Sequence, residues 1–206
     1  MKHRLDRELK QKAAEMQQAE ELMEKGDFVQ AVELMRGVRA EARKRRLPHG
    51  MVSWRLCVFL DHLDDLEEAF VMAVEAVDQD PLSASIRNSF HIIAKQLRDR
   101  LAAPDREPAD PTTPRLYSLL SENDAAEDST HLAMARFLVQ SGDAAGARRL
   151  LDAVTVLSPN CAGAWALLES VAKGVGDEEL AKKCEVERLA IEAALKPMKV
   201  AGQAAA

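Results

Sequence analysis

A short turn sequence recurs along this chain at a spacing that few folds produce. Gly142-Asp143 returns as Gly176-Asp177 after 34 residues, and each pair precedes an alanine by the same interval. Two earlier pairs occupy the same place, so that the full set is Gly26-Asp27 with Ala31, Asp64-Asp65 with Ala69, Gly142-Asp143 with Ala147, and Gly176-Asp177 with Ala181. A fixed period of roughly 20–50 residues is typical of proteins built from stacked structural repeats.

Each element of the repeat has a local physical meaning. The glycine can end a helix in the left-handed conformation at low cost. The aspartate can cap the next helix by accepting a backbone N–H bond. We expect the alanine to lie where two helices cross and only a methyl group fits. Pro81 and Pro159 each follow their alanine by twelve residues and predict the end of the second helix. The chain therefore reads as a series of helix–turn–helix units.

The repeat resembles the tetratricopeptide repeat, a helix–turn–helix unit of 34 residues. Its opening-helix motif is matched best by Trp165-x-x-Leu168-Glu169-x-x-Ala172, with Glu169 where the family usually has Gly and Ala172 where it usually has Tyr. The resemblance implies an all-α fold, a right-handed superhelical solenoid of antiparallel helix pairs with about four to five repeats. Aromatic residues make up only 4% of the chain, which also favours helix over strand.

The repeats divide the chain at a proline-rich stretch. One of the five units is expected to be degenerate, because Pro104-Asp105-Arg106-Glu107-Pro108 follows its first helix. Residues 114–121 could supply the missing second helix, with Thr113 as its cap and Pro114 in its first turn. The expected division is an N-terminal region 1–103 with repeats 13–46 and 51–82 and the degenerate unit from 83, a linker 104–113, a C-terminal region 114–196 with repeats 128–160 and 161–196, and a flexible tail 197–206.

Charge and cysteine usage narrow the function classes. The formal net charge is −6, and neither half of the chain has the positive excess of a nucleic-acid-binding protein. No apolar stretch follows the charged start, so we expect no secretory signal, and no run is long enough to span a bilayer. Cys57, Cys161 and Cys184 have no metal-ligand spacing and predict buried free thiols. These features together predict a cytoplasmic protein.

The sequence contains no recognisable catalytic constellation. It lacks a glycine-rich phosphate loop, a His-Glu-x-x-His helix and a serine elbow. His62 lies between Asp61 and Asp64, but neighbouring residues do not share a helix face, which argues against a metal site there. We therefore expect no enzyme, no cofactor, no metal and no small-molecule substrate.

The resemblance instead implies a binding groove, because the first helices of successive repeats line a concave surface in this family. Trp54 is the residue expected to anchor a partner, since an exposed tryptophan is a common binding residue; an alternative is that it packs inside. The expected partner-binding residues are Met16, Glu20, Met23, Trp54, Val58, Asp61, Asn88, Ile92, Lys95, Leu132, Arg136 and Val139.

One function known in the family is disfavoured. Members that grip the C-terminal carboxylate of heat-shock chaperones use Lys, Asn and Arg on the groove helices. The matching positions here are Met16, Glu20, Arg55, Ser85 and Ser89, of which only Arg55 has that character.

A basic cluster ends the second helix of the first repeat. It contains Arg39, Arg43, Lys44, Arg45 and Arg46. Cations at this place complement the helix dipole, which is a purely structural role. Docking of an acidic partner or of RNA is the alternative, but no aromatic residues are interleaved for base stacking.

The leading hypothesis is a non-enzymatic adaptor or scaffold that holds a helix or peptide of another protein in the groove. One alternative is a chaperone of the cytoplasmic type III secretion kind. Another is a regulatory module that contacts nucleic acid through Arg39 to Arg46. Self-association is also possible, because solenoid ends without a polar cap tend to stack. Glu185, Glu187, Arg188 and Glu192 are expected to make the C-terminal end polar.

Overall fold

A computed structural model describes residues 2–103, 105–107 and 109–195 of the chain. In these residues every regular element is a helix, and the order is α1 Lys2–Glu24, α2 Phe28–Lys44, α3 Gly50–His62, α4 Leu66–Gln79, α5 Ala84–Leu101, α6 Thr113–Ser121, α7 Asp128–Gln140, α8 Ala144–Leu157, α9 Ala162–Gly174 and α10 Glu178–Leu195. The expected tail 197–206 lies outside the described residues. The all-α class is confirmed.

Eight of the helices form four hairpins, α1–α2, α3–α4, α7–α8 and α9–α10. In each hairpin a turn at one of the repeated residue pairs joins the two helices. Gly26, Gly142 and Gly176 have φ values of 80°, 83° and 77°, in the left-handed region. Asp64 takes the same place in the α3–α4 turn with φ of 59°. The following amide closes the turn each time, as where Asp143 N donates to Leu138 O at 2.8 Å. This is the Schellman pattern that satisfies the last carbonyls of a helix. The helix–turn–helix repeat is confirmed.

The aspartate of the pair caps the second helix in three of the four hairpins. Asp65, Asp143 and Asp177 accept from the backbone N–H groups of Glu68, Gly146 and Leu180, at 3.3, 2.7 and 3.1 Å. Asp27 was expected to do the same, and that expectation is wrong, because its side chain makes no capping bond to α2.

The alanines of the repeat are buried in the core. Ala31, Ala69 and Ala147 are fully buried, and Ala181 is 2% exposed. α4 ends at Gln79, before Pro81, and α8 ends at Leu157, before Pro159. A larger side chain at these buried positions would displace its neighbours in the close-packed core, which explains why they are small in all four copies.

The chain forms two compact units, Met1–Asp99 and Arg100–Ala206, called unit 1 and unit 2 below. In unit 1 the core contains Phe70, whose ring centroid lies 5.3 Å from that of Phe90 in α5. In unit 2 the core forms between α7, α8, α9 and α10, from Ala135, Ala147, Leu151, Val154, Ala164, Leu168, Val171 and Cys184.

The degenerate unit has a long loop between α5 and α6 instead of a tight turn. Thr113, expected as the cap of α6, is its first residue and is buried, while Thr112 precedes it without a capping bond. The Thr112 hydroxyl instead donates to Asp110 Oδ1 at 2.7 Å. Pro114 lies in the first turn of α6, as expected.

The structure explains the glutamate in the opening-helix motif of α9. Glu169 is only 8% exposed, and its carboxylate accepts from Lys173 Nζ at 2.6 Å and Arg188 Nε at 3.1 Å. Those bonds lower the pKa of Glu169 and keep it charged. The position that is usually small therefore holds an ion pair that connects α9 to α10.

Candidate protein-binding face

The first helices of the N-terminal hairpins carry a linked cluster around Trp54. The indole Nε1 of Trp54 in α3 donates to Ser89 Oγ in α5 at 2.9 Å. The ring remains partly exposed. Its polar atom is thus satisfied within the protein, while part of the aromatic surface remains available to a second molecule.

Arg55 continues this cluster to α1. Its Nη1 lies 3.0 Å from Glu20 Oε1, and its Cζ lies 4.9 Å from the centre of the Trp54 ring. The guanidinium therefore pairs with a carboxylate and also makes a cation–π contact. Its Nε atom is buried and donates to no acceptor in the described part of the chain. These contacts connect α1, α3 and α5. The four residues that make them are called the Trp54 cluster below: Glu20, Trp54, Arg55 and Ser89.

The other expected groove residues of unit 1 surround this cluster on the same helices. Ile92 and Asn88 are exposed on α5, and Ile92 exposes 46% of its surface. Lys95, also exposed, pairs with Asp99 one turn along α5. Partly buried positions are Met16 and Met23 on α1 and Val58 and Asp61 on α3. The face is therefore mixed: an aromatic ring, an exposed aliphatic side chain and several polar groups.

The expected groove residues of unit 2 have different environments. Leu132 and Val139 are partly buried and pack against the unit 2 core. Arg136 is exposed and lines a cavity between α7 and the loop before α6. Of the three, only Arg136 therefore offers a side chain whose environment suits ligand contact.

The basic cluster is largely engaged with acidic side chains of unit 1. Arg39 Nε lies 2.6 Å from Glu75 Oε2, and Arg43 Nε lies 3.8 Å from the other oxygen of the same carboxylate. Arg45 pairs with Glu41 one turn earlier in α2. Lys44 and Arg46 are exposed, and Arg46 closes the end of α2 with φ of 56°.

Glu75 is the centre of a polar network between the first two hairpins. Its carboxylate accepts from Arg39, from Ser53 Oγ at 2.7 Å and from His49 Nε2 at 3.2 Å. Burial acts to raise the pKa of Glu75, but the hydrogen bonds from Arg39, Ser53 and His49 outweigh it and lower that pKa to about 2. The network gives Arg39 and Arg43 of the basic cluster a structural role, because both lie against the Glu75 carboxylate of α4.

The cysteines differ in exposure. Cys57 and Cys184 are free and buried, as expected, and burial together with the nearby Asp61 raises the pKa of Cys57 to about 12. Cys161 was also expected to be buried, but it precedes α9 and is partly exposed. Burial likewise raises the pKa of the Cys184 thiol.

The described residues contain neither a candidate metal site nor a candidate membrane span. No group of three or more His, Cys, Asp or Glu side chains among them could hold a metal ion. His62 stacks on Phe28, with ring centroids 5.8 Å apart and planes 3° from parallel. None of the described helices is both long enough and apolar enough to cross a bilayer.

The exposed surface of the C-terminal helix is mixed, because Glu185 and Glu187 are exposed as expected but apolar side chains are exposed beside them. Val186, Leu189 and Leu195 of α10 are 65%, 49% and 72% exposed. Glu192 and Arg188, expected to make this end polar, pair with each other at 2.9 Å.

Two features were not predicted from the sequence. The sequence relates Ser89 only to the carboxylate-clamp pattern, yet its hydroxyl accepts the hydrogen bond from the Trp54 indole. The cavity beside Arg136 has walls from the proline-rich loop, which the sequence suggested only as an exposed linker. The spacing of residues along the sequence could not predict either feature, because each brings together residues from separate helices or loops.

Comparison with known proteins gives a likeness in structure but none in sequence. No family model matches the chain, and no curated protein matches it. Among solved structures the chain is similar to the TPR2AB domain of yeast Sti1 in a complex with pHSP90, with 15% sequence identity and a TM-score of 0.42. The match covers 89% of this chain and 79% of that chain. The tetratricopeptide-like character of the hairpins rests on their repeated turns and buried alanines.

Proposed function

We propose that this chain is a non-enzymatic, cytoplasmic scaffold that binds a helix or peptide of another protein. The proposed binding surface is the side of unit 1 formed by α1, α3 and α5 around Trp54, called the first-helix face below. The observation that supports this best is the Trp54 cluster. The tryptophan ring is held by Ser89 and Arg55 and remains partly exposed, so an aromatic anchor is fixed before a partner arrives. An anchor that is already ordered loses little conformational entropy on binding.

The surroundings of the cluster suit a protein partner. Ile92 lies one turn from both Asn88 and Ser89 on α5, and Ser89 accepts the hydrogen bond from the Trp54 indole. An apolar side chain beside amide and carboxylate groups matches the mixed character of protein interfaces, in which aromatic residues and arginine are enriched. The partner is expected to present an amphipathic segment with an apolar side chain for the Trp54 ring.

Site-specific photocrosslinking tests the face directly. A benzophenone side chain placed at Ile92, which is 46% exposed, is compared with one at Val71 on α4, which is 44% exposed. The two positions match in exposure but lie on a first and a second helix. We expect a crosslinked protein from the source lysate at Ile92 and none at Val71, and we expect Trp54→Ala to abolish it.

Controls separate binding from folding. Trp54→Phe keeps an apolar ring and should retain much of the crosslink, while circular dichroism should show equal helix content in all variants. Equal capture at Val71 and Ile92, or capture that Trp54→Ala leaves unchanged, would contradict the proposal. Capture that disappears in moderate salt and requires Arg43 and Arg45 would favour the nucleic-acid alternative instead. An amphipathic secreted substrate among the captured proteins would favour the chaperone alternative.

A further inference from the structure

Unit 2 contains a cavity of about 340 Å³ between the end of α5, the loop before α6, and α7. This volume is at the lower end of the range of about 300–1,000 Å³ that small-molecule sites occupy. The described residues that line it are Leu101, Ala102, Ala103, Arg106, Glu107, Thr113, Ala133 and Arg136.

One wall of the cavity is built by Arg106. Its guanidinium lies 3.1 Å from Asp110 Oδ2 and donates to the hydroxyls of Thr112 and Thr113 and to the carbonyl of Arg100. Backbone turns add to this, since Arg106 N donates to Ala103 O and Asp110 N donates to Glu107 O. The guanidinium of Arg106 therefore stabilises the conformation of the loop. In that conformation Glu107 lines the cavity.

Two charges of opposite sign remain on the lining. Glu107 and Arg136 are both exposed, and neither forms an ion pair with the other or with another residue in the described part of unit 2. Separated opposite charges that line one cavity could be bridged by a molecule that carries both an ammonium and a carboxylate group.

The rest of the lining is small and apolar. Leu101 is 1% exposed and Ala133 is 9% exposed, and Ala102 and Ala103 complete this surface. Such a surface would favour an aliphatic group on the bound molecule by removing it from water.

From this arrangement we propose that the cavity binds a small zwitterion, a free α-amino acid with an aliphatic side chain. Arg136 binds its carboxylate, Glu107 binds its ammonium group, and Leu101 with the three alanines contacts its side chain. This site does not rest on the first-helix face of unit 1, so either proposal can fail without the other.

The test is an NMR titration of the full chain with three probes: L-leucine, N-acetyl-L-leucine, which lacks the ammonium charge, and L-leucinamide, which lacks the carboxylate. Saturable shifts of the Ala102, Ala103 and Ala133 amides are expected with L-leucine. Each modified probe should bind about tenfold more weakly, the loss typical of one charge-assisted hydrogen bond.

Two variants assign the charges. Glu107→Gln should bind L-leucine and N-acetyl-L-leucine equally, and Arg136→Gln should bind L-leucine and L-leucinamide equally. Arg149→Gln, an exposed arginine of α8 away from the cavity, should change nothing. The absence of saturable shifts with millimolar L-leucine would overturn the proposal. So would equal binding of all three probes by the wild type, or variants that weaken the three probes to the same extent.

Discussion

Arg39 of α2 donates from Nε to a carboxylate oxygen of Glu75 in α4 over 2.6 Å, and both side chains are 19% exposed. This bond joins the second helices of the first two hairpins. Arg39 of the basic cluster therefore lies in the contact between two repeats. Its guanidinium already pairs with Glu75, so its main role is structural. Because the pair needs an ionised carboxylate, the stability of unit 1 should depend on the protonation of Glu75.

Glu75→Gln should destabilise the protein at neutral pH and have little effect in strong acid. Because the folded-state pKa of Glu75, about 2, lies below its ordinary value of 4.5, the carboxylate stabilises the fold fully above about pH 4.5. That stabilisation is lost as the pH falls towards 2. We expect a loss of about 1–3 kcal/mol at pH 7, measured by urea unfolding at several pH values.

The matched control for Glu75 is Glu41→Gln. Glu41 pairs with Arg45 on the surface of α2, with both side chains nearly half exposed. An exposed pair of this kind contributes at most about 0.5 kcal/mol. Equal effects of the two substitutions at pH 7, or a Glu75→Gln effect that does not shrink on acidification, would show that Glu75 is not the stabilising carboxylate.

Gly26→Ala should cost about 1 kcal/mol, although the added methyl group meets no atom within 4 Å. The cost comes from the backbone, because Gly26 has φ of 80°. Gly37→Ala is the control in the same unit: Gly37 lies inside α2 with equally open space. There alanine should stabilise by about 0.5–1 kcal/mol, since glycine is a poor helix former. Thermal unfolding of the two variants should therefore shift in opposite directions, and shifts of the same sign would contradict the backbone explanation.

Asp143→Ala should destabilise the start of α8 by about 1 kcal/mol, because its carboxylate accepts from Gly146 N at 2.7 Å. Asp27→Ala, at the same place before α2, should have a much smaller effect, because Asp27 makes no such bond. Amide hydrogen exchange in the first turns of α8 and α2 measures each effect locally. Faster exchange of equal size in both variants would show that Asp27 caps its helix in solution.

Acidification below neutral pH should weaken the contact between α6 and α7. Tyr117 OH lies 3.0 Å from His131 Nδ1, and burial lowers the pKa of His131 below 6.5 although Asp128 acts to raise it. A histidine whose pKa is lowered on folding stabilises the protein above its ordinary pKa and loses this contribution as the pH falls through the folded value. An NMR titration of the His131 ring should give a midpoint below 6.5. A higher midpoint would mean that Asp128 dominates over burial.

The features predicted correctly from the sequence are those that depend on a residue's own backbone preference. Glycine at the hairpin turns, the buried alanine after each turn and proline beyond α4 and α8 each act within a few residues of their position, so that their spacing is enough to locate the four hairpins. Asp143 could be predicted as a cap for the same reason. The identical sequence feature failed at Asp27, where local preference alone did not determine the side-chain conformation.

The sequence by itself therefore determined the helical repeat, because turns and caps are local. Only the tertiary structure decided what the polar side chains do: that Ser89 holds Trp54 across 35 positions of sequence, that Glu75 gathers Arg39, Ser53 and His49, and that Glu107 and Arg136 line one cavity. Side chains on different helices meet according to how those helices pack, and no spacing along the chain records that distance.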